Sequence, residues 1–288
     1  MDINTRLSKL NEAIQLNNNK EYDKAETIID ELIENIEIVE IDQYGKVLDF
    51  SNEVEFVFYC QGQEKDSNIS WNRNYNTDIY LNKAIILYEK GEHKKANLYL
   101  KKALRWNPVR IQVYCEILEN YIKLNNVEKF KKYFNEAIKK AMTPLELAIL
   151  YRKYAFFCID RHEYELAYNL LLYTKLMLPR KEADSEIDYL SHKVRVPLKK
   201  WPDIGTVDYI RENELEYKVN RTVIVTYASL AKHYEEELVK GETEDTYVKL
   251  ISYYELLYFF NKDEKIHSLL IDVMRKYNNY KSKKENKI

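Results

Sequence analysis

The feature that most constrains this chain is a spacing. With Asp78–Arg110 written above Gln112–Pro144, Tyr80 meets Tyr114, Ala84 meets Leu118, Gly91 meets Asn125, Leu100 meets Phe134 and Ala103 meets Ala137, each step being 34 residues. A third unit follows with three extra residues and carries Tyr151, Ala155, Cys158, Tyr164, Ala167, Leu171, Thr174 and Pro179. In every unit an apolar helical period stops near a Gly, Asn or His and then resumes, which predicts a helix, a tight turn and an antiparallel helix. One such pair cannot bury its apolar face alone, so like units have to stack. Composition agrees: five glycines and five prolines in 288 residues are too few for the turns of an all-β chain.

The best unit, "TDIYLNKAIILYEKGEHKKANLYLKKALRWNPVR", resembles the tetratricopeptide repeat (TPR). Tyr80, Ala84 and Leu87 mark its first helix, Gly91 its turn, Ala96, Leu100 and Ala103 its second helix, and Pro108 its exit. Small residues at positions 84, 96 and 103 let neighbouring helices approach closely. Two positions depart from the pattern: Lys83 stands where Leu is common, and Phe130 where a small residue is expected. The resemblance covers Thr77–Arg180 and implies an all-α fold, a right-handed TPR-like α-solenoid of antiparallel helix pairs with an irregular insertion after the first pair. Within it, "KKALRWNPVR" reads as architecture. Pro108 ends the repeat, Trp106 is expected against the next unit, and Lys101, Lys102 and Arg105 form a solvated face.

The expected organisation is an N-terminal helix pair over 1–37 and an insertion over 38–76, followed by three repeat units over 77–181. After these come an irregular connector over 182–220, further repeat-like helices over 221–279 and a disordered lysine-rich tail over 280–288. The insertion reads as an extended piece, a helix capped by Asn52 with Glu55 completing a capping box, and a polar loop anchored by Trp71. In the connector, Pro197 and Pro202 stop any long helix.

Charge and chemistry narrow the function. Lys and Arg number 45 against 47 Asp and Glu, a formal net charge of −2, so nothing draws the chain toward nucleic acid or acidic lipid. No run of apolar residues is long enough to span a bilayer, and neither a partner membrane nor nucleic acid is expected. Cys60, Cys115 and Cys158 are far apart and form no CxxC, which fits a reducing, cytoplasmic setting. There is no GxGxxG, no GxxxxGK[ST], no HExxH and no zinc spacing among His93, His162, His192, His233, His267 and the cysteines. No catalytic residue, cofactor or metal is expected.

The resemblance instead implies a groove lined by the first helix of each unit. Offset from the core positions, its lining is Asp78, Leu81, Ile85, Tyr88 and Glu89, then Gln112, Cys115, Glu119, Ile122 and Lys123, then Ile149, Arg152, Phe156, Ile159 and Asp160. An apolar band with polar edges suits a protein or peptide partner. Docking of a chaperone's C-terminal carboxylate does not fit, because the slots hold Glu116 or lack the cations. The expected function is a non-enzymatic scaffold or adaptor; the alternative is a peptide-sensing regulator whose solenoid changes shape on ligand binding. Partner identity and oligomeric state are not encoded legibly.

Overall fold

In chain order the elements are α1 (Ile3–Asn18), α2 (Tyr22–Glu34), β1 (Ile41–Asp42), β2 (Gly45–Leu48), α3 (Glu53–Gln61) and β3 (Ile69–Trp71). Helices follow to the end: α4 (Asn76–Glu89), α5 (His93–Trp106), α6 (Ile111–Lys123), α7 (Val127–Ile138), α8 (Pro144–Asp160), α9 (Tyr164–Thr174), α10 (Asp184–Val194), α11 (Ile204–Glu212), α12 (Arg221–Lys240), α13 (Glu244–Asn261) and α14 (Glu264–Glu285). The computed structural model describes residues 1–36, 41–42, 45–63, 68–179 and 184–285. These form two compact units: residues 1–51 with 66–217, and residues 52–65 with 218–288.

In the first unit one kind of turn joins the two helices of four successive pairs. Lys20, Gly91, Asn125 and His162 join the two helices of successive pairs, and each has a left-handed backbone, with φ of 63°, 77°, 48° and 62°. The residue after each closes the same long bond: Glu21 N–H to Leu16 O (2.9 Å), Glu92 to Leu87 (2.8 Å), Asn126 to Tyr121 (3.0 Å) and Glu163 to Cys158 (2.9 Å). This is the Schellman closure, which satisfies carbonyls left over at the end of the first helix. Helix α8 also starts on a full capping box, with Pro144 in the first turn and Thr143 and Glu146 bonding each other's N–H groups.

Packing repeats as well. Tyr80, Tyr114 and Tyr151 are all buried, as are Ala25, Ala96 and Ala167 at the close-approach position of each second helix. Phe130 occupies that position in the α6–α7 pair and is accommodated by stacking on Phe157 of α8, centroids 4.0 Å apart and planes 8° from parallel. Lys83 is buried at the α2–α4 seam, where its ammonium lies 2.7 Å from Glu26 and 2.6 Å from Asp30. Lys90 adds bonds to Asp23 (2.8 Å) and Glu26 (2.6 Å). The departure from Leu is therefore an ion cluster that couples the first pair to the second.

The segment before α4 does structural work at both ends of the α4–α5 pair. Asp49 is fully buried; its carboxylate accepts the Thr77 N–H (2.9 Å) in the first turn of α4, and its own N–H donates to Trp106 O (2.9 Å) at the end of α5. One residue thus caps a helix start and a helix end. Burial is the largest influence on this carboxyl and pushes its pKa up, against the Thr77 bond and the Arg73 charge. A small sheet holds Asp49 in place. β2 pairs antiparallel with β1 and parallel with β3, and at Gly45 (φ 119°) a Cβ would come within 2.1 Å of Asn68 O.

Several expectations change here. The polar loop anchored by Trp71 contains strand β3, and the Trp71 indole donates to Phe50 O at 2.8 Å. Trp106 shares a 270 Å³ recess with Lys46 and Val47 of β2, so its neighbour there is the insertion. Residue 37, parts of the insertion at 38–40, 43–44 and 64–67, and the junction of the third repeat unit with the connector at 180–183 lie outside the described residues.

In the second unit, α12 and α13 pair antiparallel and α14 packs on α13. Their turn is not the one used earlier: Gly241 is extended (φ 177°) and Thr243 caps α13. The α12–α13 turn thus differs in geometry from the turn that joins the helix pairs of the first unit. Helix α3 belongs to this unit and packs on α12. Asn52 caps it by accepting the Glu55 N–H at 3.0 Å. Its Glu53 receives Tyr234 (2.8 Å) and Tyr253 (2.6 Å) hydroxyls, and Lys249 donates to the same Tyr234 oxygen at 2.8 Å. Helix α14 runs to Glu285, so the tail expected to be disordered from 280 is helical as far as it is described. No Gly or Pro interrupts it, Asp272 pairs with Arg275 and Lys276, and Tyr277 and Tyr280 pack on Tyr247.

Candidate functional site

The first helices α4, α6 and α8 lie side by side in the first unit. A polar chain crosses all three. The Tyr88 hydroxyl of α4 donates to Glu119 Oε1 of α6 at 3.4 Å, and the Lys153 ammonium of α8 donates to Glu119 Oε2 at 2.6 Å. The third unit carries three extra residues, so the α8 position equivalent to Glu119 is Phe156, and the ion pair joins non-equivalent positions of neighbouring first helices.

Around this chain the nine residues with the strongest groove claim fall into two groups. Ile85, Tyr88, Glu119, Ile122, Arg152 and Ile159 are half-buried, and Phe156 is 38% exposed. Leu81 and Cys115 are 2% and 7% exposed, closed off by the helices on either side. They lie beneath the surface. Burial pushes the Cys115 thiol up to about 12, which leaves it an inert apolar side chain. Arg152 is drawn sideways, its guanidinium 3.6 Å from Glu186 of α10. Ile149 joins Phe156 as an exposed apolar residue on α8.

The electrostatics are acidic at the centre. Burial raises the Glu116 carboxyl first, Lys153 opposes this, and the neighbouring Glu119 and Glu89 carboxylates raise it further. Tyr88 is pushed up to about 12, chiefly by burial and then by the charge and hydrogen bond of Glu119, so it stays a neutral donor. Lys153 and Glu116 were outside the expected lining. Angle on the helix alone predicts that lining, whereas a lysine arm reaches across to the next helix. The three extra residues of the third unit take Lys153 out of register with Glu119, so spacing gives no signal for the pair.

The tetratricopeptide repeat family model matches residues 77–110 and 111–139. The protein carries tetratricopeptide repeats. The matched residues are the α4–α5 and α6–α7 pairs; α1–α2 and α8–α9 reuse the same TPR turn outside them. No curated protein matches the chain. TPR units are in general protein-interaction modules, and α4 and α6 are the first helices of the two matched here. Among the described residues no helix is long and apolar enough to cross a membrane, and no group of three or more His, Cys, Asp and Glu is placed to hold a metal ion.

Proposed function

We propose that the protein is a non-enzymatic adaptor that holds a protein or peptide partner on the first-helix face of its TPR units. The observation that carries this reading is the Tyr88–Glu119–Lys153 chain, which ties three successive first helices into one surface with Phe156 and Ile149 exposed along it. Such a surface offers apolar anchoring beside fixed polar groups, the combination that peptide grooves use. It is already ordered before binding, which lowers the entropic cost of association. The half-buried isoleucines Ile85, Ile122 and Ile159 give the partner's side chains apolar contacts, and the acidic centre selects against an anionic anchor there.

The test compares two charge insertions at exposed apolar positions. Phe156→Asp lies on the first-helix face, and Leu98→Asp lies on the second helix α5. With tagged protein and quantitative affinity capture, Phe156→Asp is expected to lose the specific partner at least tenfold, and Leu98→Asp to retain it. Equal capture by both variants, with helicity unchanged, counts against the groove.

A further inference from the structure

Away from the groove, helix α9 is covered by α10 and α11, and the chain between those two crosses it as an extended strap. The strap is pinned. The Tyr168 hydroxyl donates to Pro197 O at 3.2 Å and accepts the Lys199 N–H at 3.1 Å, while the Lys175 ammonium donates to Lys200 O at 2.8 Å. Asp203 then caps α11 by accepting the Thr206 N–H at 2.9 Å. Between strap, α9 and α10 lies a cavity of about 420 Å³, walled by Pro179, Ile187, Leu198 and Trp201, with Lys175, Lys199, Lys200 and Asp184 at its polar side. That volume is in the range of small-ligand sites.

Three features suggest what it takes. Trp201 is 58% exposed and Leu198 is also exposed, although a pinned strap had apolar surface below it to cover. The Lys175 side chain is 7% exposed, with its ammonium 5.4 Å from the Trp201 ring centroid. Two of its three N–H groups are taken, by Asp184 and Lys200 O, which leaves one donor among the described residues. Lys199 is paired with Asp203 at 2.8 Å, but the Lys200 side chain is exposed and has no ion-pair partner among the described residues. The cavity therefore combines an aromatic and aliphatic wall with one spare buried donor and one spare positive charge.

We propose that this cavity binds a small ligand with an apolar or aromatic body and a single carboxylate, the body against Trp201 and Leu198 and the carboxylate between Lys175 and Lys200. A free aryl-alkanoic acid and the C-terminal residue of a peptide share this chemistry. The site is separate from the first-helix face and does not depend on the groove reading.

Calorimetric titration of the full chain tests it, with 4-phenylbutyrate, its neutral amide, and acetyl-Leu-Phe bearing a free carboxylate as probes. At least one acid is expected to bind saturably with Kd below about 1 mM, and the amide about tenfold more weakly. Lys200→Glu should weaken the acid about tenfold and leave the amide unchanged; Trp201→Ala should weaken both. Both residues are exposed, so helicity by circular dichroism should not move. Tighter binding of the dipeptide acid identifies a chain terminus as the ligand, and tighter binding of phenylbutyrate a free acid; either supports the site. Absence of saturable heat from both acids, equal affinity of acid and amide, or indifference of acid binding to Lys200→Glu overturns it.

Discussion

Lys83 shows how one side chain can replace a repeat's usual solution. In place of an apolar contact it sends an ammonium between Glu26 and Asp30, with only 5% of its side chain exposed. Burial pulls its pKa down first, and the bonds from Asp30 and Glu26 outweigh this and raise it. Lys83→Met keeps the stem and leaves Glu26 with Lys90, so urea denaturation is expected to register a loss of about 1 kcal/mol. Lys83→Glu places three carboxylates together and should cost about 3–5 kcal/mol. At this scale the sequence was legible where a residue acts within its own unit. Tyr80, Tyr114, Tyr151 and the alanines were recognisable from spacing alone, because burial at those positions follows from helix geometry. Lys83, Lys153 and Trp201 were not, since each takes its role from a partner elsewhere in the chain.

The repeated turn is the element that makes the first unit regular. Its left-handed residue is glycine once and a residue with a Cβ three times. Gly91 has open space around the position of a Cβ, so Gly91→Ala carries backbone strain only and should lower stability by about 1 kcal/mol. His162→Gly works in the opposite sense, removing strain from an exposed turn; a change within about 1 kcal/mol, stabilising, is expected from the same denaturation measurement. A destabilising His162→Gly would show that its 2.8 Å bond to the Tyr164 hydroxyl matters more than the backbone. The halts at Gly, Asn and His made these turns readable in advance. Strand β3 is three residues long, too short for an alternating pattern to register in the sequence. The end of helix α14 is not legible because a run of lysines reads as solvated whether or not it is helical.

At the scale of the molecule, sequence order and structural membership diverge. Residues 52–65 belong with 218–288, and Glu53 is the anchor that joins α3 to α12 and α13. Burial raises the Glu53 carboxyl first, but the Tyr253 and Tyr234 hydroxyls and Lys249 outweigh it and hold the pKa below the ordinary value. A carboxylate depressed on folding contributes stability that is present above its unfolded pKa, about 4.3, and lost as pH falls through the folded value. Hydrogen exchange of α12 and α13 should therefore be faster in Glu53→Gln than in wild type near pH 7, and the gap should narrow as pH falls from the unfolded value through the lower folded one. A gap that persists in acid would assign the effect to packing. Nothing local in residues 52–65 announces this membership, because its partners lie 168 to 200 residues further on.

That distance has a consequence for synthesis. At roughly 5–20 residues per second, Val54, Phe56, Val57 and Phe58 leave the ribosome roughly 10–30 s before α12 exists to receive them. Meanwhile the neighbouring repeats are free to close on either side of a loose apolar tether. The nascent chain must hold one short hydrophobic stretch in reserve, and nascent-chain aggregation or chaperone recruitment should centre on it.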